Sequence, residues 1–218
     1  MKTNNGTGYS LMATFWFGVL AGPVLGSPGS WDQSYGPAVT GGAVNALALQ
    51  PDGKLVMGGA FTAVNNSSSR YHLARLWPDG SLDSSFFNTG SGVSGTVNCL
   101  TVQTDGRIVI GGDFYTVNGT TRNRVARLNP NGTVDGSFVP TNALSGSVLA
   151  LAVQSDNKVI IGGNFSGTYF PAWNARLNAD GTLDSAFSSY LNGVVYAVAV
   201  QPDGKIVIGG AFTTVNGA

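Results

Sequence analysis

The chain has 218 residues, and eleven Lys and Arg balance eleven acidic residues, all of them Asp. A neutral surface with no basic run excludes the electrostatic footprint of a nucleic-acid binder and the polybasic patch that holds a protein to an anionic membrane. Thirty-two Gly and nine Pro without a collagen period describe a turn-rich, all-β chain, and a single cysteine, Cys99, excludes an internal disulfide or a cysteine-built metal site.

Residues 1–26 read as a secretory signal. Lys2 is the only charge there, and Leu11–Leu20 is an apolar run shorter than the about 20 residues of a membrane span. Small residues follow, and Val24-Leu25-Gly26 fits the approach to a cleavage point. Next comes Gly29-Ser30-Trp31-Asp32-Gln33-Ser34-Tyr35, which matches a segment that ends each later repeat: Gly80–Phe86, Gly132–Phe138 and Gly181–Phe187.

The rest of the chain repeats. Gln50-Pro51-Asp52-Gly53-Lys54-Leu55-Val56-Met57-Gly58-Gly59-Ala60-Phe61 returns at Gln103, Gln154 and Gln201, in steps of 53, 51 and 47 residues. A period of this length points to a repeat architecture. In the first copy, Ala43–Gln50 alternates like a strand, Pro51-Asp52-Gly53 is a three-residue turn, and Lys54–Phe61 returns as a second strand. Gly58-Gly59 allows a bulge or the close approach of another backbone. Thr62–Tyr71 reads as a polar loop, His72–Trp77 as a third strand, Pro78-Asp79-Gly80 as a turn and Ser81–Phe86 as a fourth strand.

The turns set the register. Leu49 should face Leu55 and Leu47 face Met57; Val102 should face Ile108, Leu100 face Ile110, Val153 face Val159 and Val200 face Ile206. In the outer hairpin, Arg75 falls opposite Asp83, Arg127 opposite Asp135 and Arg176 opposite Asp184. Each pair is expected to be a cross-strand ion pair worth about 0.2–1 kcal/mol. Cys99, inside an apolar strand, reads as a small core residue.

Four short strands per repeat of about fifty residues predict an all-β fold, a β-propeller of four-stranded blades. The most apolar strand of each blade would lie nearest the axis. The expected division is a signal peptide at 1–26 and a partial propeller at 27–218. Within it, 29–35 is an outer closing strand, 36–86, 87–138 and 139–187 are three blades, and 188–218 is the first half of a fourth. About three and a half blades make an incomplete ring, as in a fragment of a longer protein.

The succession of an apolar strand, Gln-Pro-Asp-Gly-Lys, Gly-Gly-x-Phe, a loop, Ala-Arg-Leu, x-Asp-Gly and Leu-Asp-x-Ser-Phe resembles the delta-60 repeat family of bacterial proteins, over about residues 29–218. The resemblance implies a secreted or cell-surface propeller, often part of a large multidomain protein, with no assigned activity and no catalytic residues to carry over. Departures are mild: Asn157 replaces a turn Gly, where Asn tolerates positive φ, Asn131 replaces a turn Asp, and Asn174 stands where Leu73 and Val125 stand in other copies.

Residues that recur in every copy are explained by the fold. Asp52, Asp105, Asp156 and Asp203 lie in turns, as do Asp79 and Asp180, and no spacing suits a calcium loop. His72 is the only histidine and stands at a variable position, where Arg124 and Trp173 are its equivalents; with no second His, no Glu and no Cys partner, a zinc site or a Ser-His-Asp triad has almost no raw material. No cofactor is implied. Non-repeating positions are the candidates. Asp113 and Asn164 follow Gly-Gly on neighbouring blades and are a candidate polar pair near a channel mouth, beside the simpler reading of solvated or backbone-bonded side chains. Arg70, Tyr71, His72, Arg122, Arg124, Tyr169, Phe170 and Trp173 lie in or beside the loops before the third strands, where a rigid scaffold presents a binding surface. The reading is a non-enzymatic secreted or cell-surface module for protein or glycan interaction or scaffolding. The alternative is a polysaccharide-acting enzyme whose active site at the channel mouth draws on missing blades. Expected partners are a protein or glycan, and further blades of the same protein or an edge-mediated oligomer. Nucleic acid and a stable membrane span in the mature chain are not expected.

Overall fold

The computed structural model describes residues 35–67, 70–87, 92–140, 144–166, 172–187 and 189–216. The signal-like segment, all of the closing segment except Tyr35, and the loop residues Tyr169 and Phe170 lie outside these.

The first repeat forms strands β1 (Val39–Thr40), β2 (Val44–Leu49), β3 (Leu55–Gly59), β4 (Ala63–Val64) and β5 (Leu73–Leu76). The second forms β6 (Val97–Val102), β7 (Ile108–Gly112), β8 (Thr116–Val117), β9 (Thr120–Thr121) and β10 (Val125–Leu128). The third forms β11 (Ser147–Val153), β12 (Val159–Asn164) and β13 (Asn174–Leu177), and the fourth β14 (Val195–Val200) and β15 (Ile206–Gly210). The main sheets are antiparallel and ordered β2-β3-β5, β6-β7-β10, β11-β12-β13 and β14-β15. Strands β2, β6, β11 and β14 stand side by side in chain order, which makes them the inner strands of successive blades. The fold is an all-β propeller arc with open sheets.

The hairpin register is the expected one: Leu49 pairs with Leu55, Leu47 with Met57, Leu100 with Ile110, Val102 with Ile108, Val153 with Val159 and Val200 with Ile206. Turn chemistry holds it. Gln50 N–H donates to Lys54 O (2.8 Å), Gly53 takes φ +81°, and Asp52 Oδ1 accepts Lys54 N–H. Asn157 takes φ +65° in the third copy, as a replacement for Gly must.

Near its start each inner strand carries one extra residue: Asn45, Asn98, Leu149 and Tyr196 bulge opposite the two glycines. Both roles allowed for Gly-Gly are realised. A Cβ on Gly59 would run into the Ala43 carbonyl oxygen across the bulge. A Cβ on Gly58 would come within 2.5 Å of Val97 Cγ1 in the next repeat, and one on Gly111 within 2.7 Å of Val148 Cγ1.

Two expectations need correction. The fourth strand is reduced to a single bridge in each repeat: Leu76 with Leu82, Leu128 with Val134, and Leu177 with Leu183. It stops because Asp83 Oδ1 accepts Ser85 N–H at 3.0 Å and turns the chain; Asp135 and Asp184 do the same to Ser137 and Ala186. The predicted polar loop Thr62–Tyr71 contains β4, which pairs with β1 ahead of the inner strand.

The core lies between sheets rather than within one. Period-two alternation sends Ile108 and Ile110 of β7 toward Val56, Leu73 and Phe86 of the first repeat, and Val109 toward Val148, Val159 and Ile161 of the third. The Arg–Asp pairs are present and lie inside this packing, which the surface-pair estimate did not foresee. Arg75 Nε donates to Asp83 Oδ2 at 2.9 Å, Arg127 Nε to Asp135 Oδ2 at 2.7 Å, and Arg176 Nε to Asp184 Oδ2 at 2.9 Å. Each guanidinium also covers a phenylalanine ring, of Phe86, Phe138 and Phe187 respectively, at 4.4–4.9 Å. Arg75 Nη1 then reaches Pro130 O (2.6 Å), and Arg127 Nη1 reaches Ala179 O (2.7 Å), in the outer turn of the following repeat. The Arg and Leu-Asp-x-Ser-Phe motifs therefore tie one blade to the next.

Candidate functional site

Antiparallel pairing gives every sheet two unlike ends. One end holds the tight Pro-Asp-Gly type turns. The other holds the inner-strand bulge, the loop into the third strand and the connector from the preceding repeat. The candidate residues gather at this loop end.

Three of them share one position. His72, Arg124 and Trp173 each precede the third strand with φ of +66°, +68° and +75°. In each case the backbone N–H donates to the buried phenylalanine carbonyl of the second strand, Phe61, Phe114 or Phe165, at 2.9 Å. Glycine or asparagine would be the low-strain choice there, and a larger side chain costs about 1 kcal/mol or more. The side chains differ in chemistry. His72 Nδ1 lies 2.8 Å from Val93 O of the next connector, and Trp173 is half-buried.

Arg124 belongs to a network with no counterpart in the other repeats. Its Nη1 donates to Asp113 Oδ1 at 2.9 Å and its Nη2 to Tyr115 Oη at 2.7 Å, with the guanidinium 4.5 Å from the Tyr115 ring centre. Asp113 Oδ1 also accepts the Ser147 hydroxyl at 2.6 Å, and Oδ2 accepts Asn98 Nδ2 at 3.2 Å. At the bulge Asn98 faces Asp113, and the same amide reaches Val148 O in the third repeat at 3.1 Å, as Asn45 reaches Val97 O from the first. Ser94 Oγ accepts both Tyr115 N–H and Thr116 N–H, which fixes the backbone under the tyrosine. Asp113 is Ala60, Asn164 and Ala211 in the other copies, and Tyr115 is Thr62, Ser166 and Thr213.

The candidate Asp113–Asn164 contact is not made. Asp113 reaches the third repeat through Ser147, whose backbone pairs with Asn164, while the Asn164 side chain is exposed. The loop residues divide. Tyr71 is exposed, but Arg70 turns inward and donates through Nη2 to Ser84 O at 3.2 Å. Arg122 likewise donates to Thr121 O at 2.8 Å and Asp135 O at 3.4 Å. Both arginines brace the Asp-x-Ser turn of their own repeat. The sequence reading missed Tyr115, Asn98 and Ser147; for Tyr115 the signal was the same departure from the repeat that marked Asp113.

The turn carboxylates act locally. Asp105, Asp156 and Asp203 each accept the backbone N–H two residues on, as Asp52 does. Asp79 and Asp180 are held low by the hydroxyl and N–H of Ser81 and Thr182. Burial pushes the Cys99 thiol up, away from the reactive thiolate. Among the described residues no three His, Cys or Asp side chains converge as metal ligands.

Open antiparallel sheets in radial succession, the first three braced by the same Arg–Asp–Phe unit, define a β-propeller repeat protein. The chain matches the family described as "Domain of unknown function (DUF5122) beta-propeller" at residues 50–86, 103–138, 154–187 and 201–218, and it belongs to that family. Its fold is also similar to two solved structures of the extracellular domain of BT4673 from B. thetaiotaomicron. In one, described as a one-component system, the identity is 18% and the TM-score 0.48, over 83% of this chain and 21% of that one. In the other, described as a hybrid two-component system, the identity is 18% and the TM-score 0.43, over 76% of this chain and 19% of that one. The chain thus spans about a fifth of the length of either. No curated protein matches it.

Proposed function

We propose that the chain is an exported binding module of the delta-60 repeat kind, non-enzymatic, whose loop end takes up a protein or glycan partner outside the cytoplasm. Export rests on the sequence: one early lysine, an apolar run from Leu11 to Leu20 and small residues after it. Binding rests on one observation above the others. Three consecutive repeats hold a large side chain, His72, Arg124 or Trp173, in the same left-handed conformation at the loop end. A scaffold position that keeps backbone strain while varying the side chain supports a role for the loop end beyond turn formation.

The test is binding of the purified protein to an immobilised panel of extracellular glycans and surface proteins. A loop-end variant, Tyr71→Ala with Trp173→Ala, is compared with a turn-end variant, Lys54→Ala with Lys205→Ala. Loss of binding in the first alone supports the assignment. Binding that survives the loop-end changes, or is lost only in the turn-end variant, overturns it. Removal of residues 1–26 should leave the protein in the cytoplasm; export without them would refute the signal.

A further inference from the structure

We infer that Tyr115 and Asp113 form a sugar subsite at the loop end between the second and third repeats, held in place by Arg124, Asn98 and Ser147. This rests on the binding-module reading and deepens it by naming the ligand class, a neutral glycan.

A sugar ring offers a C–H face and a rim of hydroxyls that both donate and accept. It is met by an exposed aromatic face beside rigid polar groups, with no need of an apolar pocket. Tyr115 is 59% exposed although one ring face carries the Arg124 guanidinium. Its phenol oxygen already accepts from Arg124 Nη2, so its own O–H is left to donate outward. Asp113 is partly exposed and accepts one bond at Oδ2 and two at Oδ1, which leaves lone-pair capacity for a ligand hydroxyl. Asn98 and Ser147 fix the carboxylate from both adjoining repeats, so the polar groups lose little freedom on binding. Ion pairing with Arg124 cancels the Asp113 charge at 2.9 Å, which disfavours a cationic or anionic ligand relative to a polyhydroxylated one. Among the described residues Tyr71, Tyr190 and Tyr196 are also exposed at this end.

Arg124 is a positioning residue. It spans Asp113 and Tyr115 with two guanidinium nitrogens, and a lysine cannot do both.

The experiment is calorimetric titration of the full chain with soluble hexasaccharides of the gluco-, xylo-, manno- and galacto-series, beside the protein panel above. Tyr115→Ala should weaken glycan binding by about tenfold or more, as loss of a central contact does, with the urea midpoint unchanged. Asp113→Asn should weaken it comparably, and it also lowers the urea midpoint because it leaves Arg124 without its charged partner. Arg124→Lys should weaken it while Lys205→Ala, at the turn end, should not. Glycan binding that is unaffected by Tyr115→Ala and Asp113→Asn overturns the subsite and leaves the module reading standing. Binding of a protein from the panel, and of no hexasaccharide, overturns the sugar assignment alone. Binding of neither class overturns both.

Discussion

Replacing Asp135 by Ala removes the carboxylate at the centre of the second blade's brace. Asp135 Oδ2 receives Arg127 Nε at 2.7 Å, and Oδ1 receives Ser137 N–H at 2.9 Å and the Ser137 hydroxyl at 2.7 Å. The two side chains are only 5% and 7% exposed. Without Asp135, the guanidinium stays buried against Phe138 with neutral acceptors only, Ala179 O and Ser137 Oγ. Stranding a buried charge costs about 3–5 kcal/mol, against about 0.2–1 kcal/mol for a solvated pair. That is a large share of the about 5–15 kcal/mol that holds a domain together. Urea unfolding at neutral pH, followed by tryptophan fluorescence in low and high salt, measures it. The loss should be of the larger size and nearly independent of salt. The double replacement Arg127→Met with Asp135→Leu should recover much of it, since an apolar pair strands no charge. A loss below about 1 kcal/mol, or one that vanishes in high salt, would refute the buried-brace argument.

The same carboxylates set an acid limit. Burial works to raise the pKa of Asp135, but the Ser137 and Arg127 hydrogen bonds outweigh it and hold the group at about 2, below its ordinary 3.8. Burial is likewise outweighed at Asp83 by Ser85 and Arg75, and Asp184 is lowered chiefly by the Lys158 hydrogen bond, with the Ala186 N–H and Arg176 adding to it. The unfolded chain therefore takes up protons first, so stability present above about pH 4 should fall progressively toward about pH 2, as acid titration of the circular dichroism will show. Tyr35 runs the opposite way: burial, then the nearby Asp79 charge, push it up to about 12. An ultraviolet titration compared with that of Tyr35→Phe should find that Tyr35 resists ionisation near its ordinary 10, with stability falling as pH rises above that value. Gly111→Ala forces a methyl to within 2.7 Å of Val148 and 2.8 Å of Cys99, whereas at Gly209 the nearest atom is 3.8 Å away. The first should cost about 1–3 kcal/mol and the second almost nothing in urea unfolding; equal effects would refute the inter-repeat role of the first glycine.

Much of the candidate site was hidden for a physical reason. Asp113 was visible because it breaks a repeat in which Ala60 and Ala211 hold the same place. Its partners were not, because Asn98 reaches it only through a bulge and Ser147 only across a blade boundary. Arg70 and Arg122 sit in polar loops, yet their backbone aims them at the Asp-x-Ser turns rather than at solvent. Loop side-chain direction follows from packing that local composition does not encode.

The repeat, the hairpin registers and the Arg–Asp partners followed from sequence because they are local: a three-residue turn and a period of two leave one pairing that keeps apolar residues on matching faces. Burial did not follow in the same way. Ile-Val-Ile-Gly-Gly occurs in both β7 and β15, with the same alternation and the same glycines. Val109 is 0% exposed and Val207 is 51% exposed. The difference lies in the neighbour: the third repeat lays Val148 and Leu151 over Gly111, while among the described residues nothing comparable lies over Gly209. Strand identity is a property of five residues, and burial is a property of the blade beside them.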